Sequence, residues 1–100
     1  FHINDLIECL NECSLNHLKY LNITRNATFF SSILVNFKSL KNLQKLNVSF
    51  TSFNNQSLDI ITQDLQQGLE YLDISGTKVS DLSPLLRWKD KLKFLYLFNM

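Results

Sequence analysis

The side chains able to do chemistry in this sequence are few and poorly placed for it. His2 and His17 have no Cys or His neighbour at ligand spacing, so neither begins a zinc site. Cys9 and Cys13 lie four residues apart in a segment that reads as helix, which sets two thiols on one face, one turn apart. A disulfide there would strain the helix, and the pair reads as two small buried thiols. Two unpaired cysteines lean towards an intracellular compartment. With two glycines in the chain there is no phosphate-cradling loop. No serine sits in a nucleophile-elbow setting, and Asp73 and Glu70 look like ordinary surface acids. The sequence therefore predicts no catalytic residue, no metal site and no cofactor: the protein is not expected to be an enzyme.

One set of residues points to another compartment. Asn-x-Ser/Thr triplets occur at Asn22, Asn26, Asn47 and Asn55. They are glycan acceptors only in a secreted chain. The chain is rich in Asn, Ser and Thr, and Asn22 and Asn47 fall mid-strand, where glycans would crowd strands about 4.8 Å apart. They are read as compositional. The expected location is cytoplasmic or nuclear, with extracellular as the alternative.

What positions these side chains is a repeat. Leu69-Glu70-Tyr71-Leu72-Asp73-Ile74-Ser75-Gly76-Thr77 reads L-x-x-L-x-I-x-x-T. Leu18, Leu21, Ile23 and Asn26 make another copy, as do Leu43, Leu46, Val48 and Thr51, and Leu92, Leu95, Leu97 and Met100. The first leucines stand at 18, 43, 69 and 92, giving steps of 25, 26 and 23 residues. A unit of about 20–29 residues with this pattern is the leucine-rich repeat. The fold class expected is α/β: a leucine-rich-repeat solenoid of about four repeats over residues 1–100, with parallel strands on the concave side and helices on the convex side. Repeat strands are expected near 18–26, 43–51, 69–77 and 92–100. Such arrays need polar caps, and none is evident at the C-terminal end, so the chain reads as part of a longer protein.

Between strands the period becomes helical. Ile3, Leu6, Ile7, Leu10 and Cys13 form one stripe, with Asn4 as its cap; Phe29, Phe30, Ile33, Leu34, Phe37 and Leu40 form the next. Leu58, Ile61 and Leu65 follow a cap at or near Ser57, and Gly68 is expected to stop that helix. Ser83-Pro84 opens a short helix carrying Leu85, Leu86 and Trp88. A composition 45% hydrophobic suits a packed fold, and the net charge of +1 gives no reason to propose nucleic acid as partner. No apolar run of about 18 residues is present, so no membrane contact is evident.

Counting the first leucine as position one, positions four and six go to the core and positions three, five, seven and eight look outward. Position three holds Tyr20, Lys45, Tyr71 and Phe94; position five holds Asn22, Asn47, Asp73 and Tyr96. Position seven holds Thr24, Ser49, Ser75 and Phe98; position eight holds Arg25, Phe50, Gly76 and Asn99. The last copy breaks the polar pattern: Phe94, Tyr96 and Phe98 point one way, beside Tyr71. Exposed apolar patches mark interaction surfaces, and aromatic side chains anchor them. Tyr71, Asp73, Phe94, Tyr96 and Phe98 are the candidate partner-binding residues, the alternative being that another segment of the same protein covers them. Arg87, Lys89, Lys91 and Lys93 read as a solvated basic turn, with a phosphate or acidic-peptide contact as the minor reading.

Residues 69–77, followed by Val79-Ser80-Asp81-Leu82-Ser83-Pro84-Leu85-Leu86 and then Leu92-Lys93-Phe94-Leu95-Tyr96-Leu97-Phe98-Asn99-Met100, resemble the leucine-rich repeats of the zyg-eleven family. Members of that family are substrate-recognition subunits of cullin-two RING ubiquitin ligases. The resemblance implies a substrate adaptor whose partners are cullin-two ligase components and a substrate protein. In that family a cullin-binding box precedes the repeats and an armadillo-like array, to which recognition of N-terminal glycine degrons is assigned, follows them. No functional residue therefore carries over. The alternative is the ligand-binding ectodomain of a secreted or membrane receptor.

Overall fold

The computed structural model describes residues 3–26 and 37–100. Along the chain run α1 (Ile3–Glu12), β1 (Tyr20–Asn22), β2 (Lys45–Asn47), α2 (Asn55–Asp64), β3 (Tyr71–Asp73), a 3₁₀ helix (Ser83–Trp88) and β4 (Phe94–Tyr96). The four strands form one parallel sheet in the order β1-β2-β3-β4. Each strand is three residues long and falls inside one copy of the leucine pattern, so the expected α/β class with a parallel sheet is observed. Parallel neighbours need a crossover of a dozen or more residues, which the step between copies supplies. The register keeps equivalent positions side by side: Tyr20, Lys45, Tyr71 and Phe94 form one row, and Asn22, Asn47, Asp73 and Tyr96 another.

Alternation along the strands divides the sheet into two faces. Leu46, Val48, Leu72 and Ile74 have no exposed surface. They join one core with Ile7 and Leu10 of α1, Leu58 and Ile61 of α2, and Leu85 and Trp88 of the 3₁₀ helix. The helical elements thus cover one face. The other carries the two rows named above, and its side chains are half-buried or exposed.

Several local expectations change. Asn4 lies within α1 rather than capping it. The α1 stripe is narrower than its spacing predicts: Ile7 and Leu10 are buried, but Cys13 is exposed one residue past the helix end. Asn54 caps α2, its side chain accepting from the Ser57 N–H at 2.9 Å. Gly68 does not stop α2, which ends at Asp64 with Leu65 as C-cap. Gly68 has φ +80° in the turn before β3, where a Cβ would come within 2.9 Å of the Lys91 side chain. The helix from Ser83 has 3₁₀ geometry, and the acceptor at its start is Asp81, whose Oδ1 takes the Ser83 N–H at 2.9 Å. Of the stripe from Phe29 to Leu40, Phe37 and Leu40 are buried; Phe29, Phe30, Ile33 and Leu34 lie outside the described residues. No helix among the described residues is long and apolar enough to cross a membrane.

Candidate functional site: the open face of the sheet

The open face is built from four equivalent turns at the strand ends. At position five, the side-chain Oδ1 accepts from the backbone N–H two residues on: Asn22 from Thr24 at 3.0 Å, Asn47 from Ser49 at 2.9 Å, and Asp73 from Ser75 at 2.9 Å. This local bond bends the chain out of the strand. At position nine the side chain reaches three residues back to a carbonyl: Asn26 to Ile23 at 3.1 Å, Thr51 to Val48 at 2.6 Å, and Thr77 to Ile74 at 2.6 Å. Met100 has no side-chain N–H or O–H to continue the series.

Turning the chain at position five changes what position seven does. It was expected to look outward, yet Ser49 and Ser75 are buried. Their hydroxyls link neighbouring turns. Thr24 Oγ1 lies 2.6 Å from Ser49 Oγ and donates to the Ser49 carbonyl at 3.0 Å; Ser75 Oγ accepts from the Phe98 N–H at 2.9 Å. Buried hydroxyls need such partners.

Position eight carries a property that residue-type reading missed. Arg25, Phe50, Gly76 and Asn99 have φ of 64°, 54°, 66° and 57°. All four turns pass through the left-handed region, which costs about 1–2 kcal/mol for a residue with a Cβ. Glycine and asparagine tolerate it best, and their presence in two of four copies was the available signal. Phe50 lies against Gly76: a Cβ there would stand 2.4 Å from Phe50 Cδ1. The Arg25 guanidinium lies 4.8 Å from the centre of the same ring.

The predicted partner-binding residues come together on this face. Tyr71 and Tyr96 have ring centres 5.1 Å apart, and Tyr96 and Phe98 6.0 Å apart. Such spacing is that of interacting aromatic pairs. Phe94 is beside Tyr71 in register, and Asp73 beside Tyr96. Phe94 is 55% exposed and Phe98 65% exposed, whereas Tyr71, Asp73 and Tyr96 are half-buried. Burial, then the charge of Asp73, push the Tyr71 phenol above its ordinary pKa. On the β1 side of Tyr71, Lys19, Tyr20, Gln44, Lys45 and Tyr71 itself line a cleft of about 460 Å³.

Outside this face the structure accounts for the remaining candidates. The basic run is partly paired: Arg87 Nη1 lies 2.6 Å from Asp59 Oδ1, and Lys91 Nζ 3.6 Å from Glu70 Oε1. The hydrogen bond from Arg87 holds the Asp59 carboxyl below the usual range. The thiols are not buried as expected, since Cys13 is exposed and Cys9 half-buried, with their sulfurs 3.2 Å apart. Among the described residues no three His, Cys, Asp or Glu side chains are grouped to hold a metal; His2 lies outside them. The amide nitrogens of two triplet asparagines are engaged: Asn26 with the Ile23 carbonyl, and Asn55 with Ser80 Oγ at 3.0 Å. No family model matches the chain, and no solved structure matches it significantly.

Proposed function

We propose that the chain is a protein-recognition scaffold of the leucine-rich-repeat type, its strands on the inner side of a curved stack, and that it takes a partner protein on the open sheet face around β3 and β4. The observation that carries this reading is the connected group of Tyr71, Tyr96 and Phe98, with Phe94 alongside. These rings stand on the face opposite a core that is already closed by α2 and the 3₁₀ helix. Leaving Phe94 and Phe98 in water has a cost that burial under a partner would remove. The nearly equal spacing of the copies, the matched register and the repeated turns support the repeat architecture.

The resemblance of residues 69–100 to the zyg-eleven repeats makes a substrate receptor of a cullin-two RING ubiquitin ligase the proposed setting. The test is affinity purification of the full-length protein from its native cells. Cullin-two among the recovered proteins supports the ligase setting. Recovery without any cullin counts against it, and glycan at Asn26 or Asn55 would move the protein to the secretory pathway.

A further inference from the structure

The geometry points to a lysine or arginine side chain of the partner protein as the group received on this face, held over Asp73 with Tyr71, Tyr96 and Phe98 as walls. The inference rests on the face being a partner surface, and it adds the chemistry of what docks there. Asp73 is the one carboxylate in the four columns of the face. Tyr96 is its register neighbour, and Tyr71 stands two residues before it on the same strand. Its Oδ1 is fixed by the Ser75 N–H at 2.9 Å, which holds the carboxylate at the end of β3.

The negative charge is not needed by the fold. Asn22 and Asn47 make the same bond at the same position with a neutral amide. An aspartate appears only where the neighbouring rings are, and there it adds a full charge to a half-buried site. Aromatic faces attract a cation within about 6 Å of the ring centre, and a carboxylate beside them supplies a charge-assisted hydrogen bond. The two basic residues of the face are Lys45, the register neighbour of Tyr71 on β2, and Arg25, over the Phe50 ring. Neither pairs with Asp73, whose register neighbours are Asn47 and Tyr96, so its carboxylate is left to complement a cation.

A random dodecapeptide library displayed on phage and selected on the full chain tests this. The expected peptides carry Lys or Arg at a fixed place. Asp73→Asn should weaken the best peptide by about tenfold while the melting temperature stays unchanged, because Asn keeps the turn bond. Replacing the peptide's basic residue by Gln should cost a similar factor against the wild type and nothing further against Asp73→Asn. Peptides that lack a basic residue, or that bind Asp73→Asn equally well, overturn this inference but leave the recognition role standing if Phe98→Ser abolishes their binding. Failure to select any peptide, or binding that neither substitution affects, overturns both.

Discussion

Gly76 decides whether two turns fit together. Its φ of 66° and the Phe50 ring at 2.4 Å from where a Cβ would stand are separate reasons for glycine. Gly76→Ala should lower stability by about 2 kcal/mol, seen as a fall in the urea midpoint; an unchanged midpoint would mean that Phe50 moves aside freely. The thiol pair gives a second test at this scale. Hydrogen bonding to Cys9, then desolvation, push the Cys13 thiol up. A raised pKa leaves Cys13 protonated at neutral pH, and only the thiolate is a nucleophile. Iodoacetamide should therefore alkylate Cys13 slowly at pH 7 and faster only at more alkaline pH than usual. Cys9→Ala should accelerate the reaction near pH 8; an equal rate in both proteins would contradict the coupling. Residue types alone showed which side chains alternate, and so where Tyr71, Asp73, Phe94 and Tyr96 would stand. They did not show the burial of Ser49 and Ser75. That follows from a turn closed by Asn47 and Asp73, and asparagine in a strand-like run reads equally as a solvated polar residue.

The elements differ in how far pattern alone could find them. The parallel strands were legible because leucines at positions one and four, with an aliphatic at six, recur at nearly equal steps. The existence of α2 followed from its apolar spacing, but its end did not: it stops at Asp64, before the glycine expected to end it. Its cap moved to Asn54 because Asn54, Asn55 and Ser57 are all suitable types, and only backbone geometry chooses among them. The last helical segment is 3₁₀ and not α, a distinction invisible to residue spacing over six residues. It is fixed to α2 by Trp88, whose indole N–H donates to the buried Leu65 carbonyl at 2.9 Å. Trp88→Phe should cost about 2 kcal/mol, from the lost indole hydrogen bond and the lost volume, measured by chemical denaturation followed by circular dichroism. A cost near zero would show that this contact does not hold the two elements together. The Arg87–Asp59 pair between the same elements is nearly half exposed, so its share is small. Because the Asp59 carboxyl is held low, that share is present above the usual carboxylate range and lost as pH falls through the lowered value.

At the scale of the molecule, among the described residues one face of a parallel sheet is closed over a core and the other carries half-buried or exposed side chains. Parallel sheets are usually covered on both faces. This one carries Asn22 and Asn47 towards one end of its open face and, at the other, Asp73 beside the rings of Tyr71, Tyr96 and Phe98. The matched register allows that gradient, because each copy supplies the same positions and only the residue types change. The copy containing Phe94, Tyr96 and Phe98 has exchanged the polar types at positions five and seven for rings, and the hydrogen-bonded series of turns ends against it at the Ser75–Phe98 contact. The account holds that these rings serve a partner and not the fold. The direct measurement compares the full-length protein with its Phe94→Ser/Phe98→Ser variant in two readouts, melting temperature and affinity for the same partner. The account predicts a melting temperature shifted by no more than about 4 °C and an affinity lowered at least about tenfold. A large fall in melting temperature, or a partner bound as tightly as before, would contradict it.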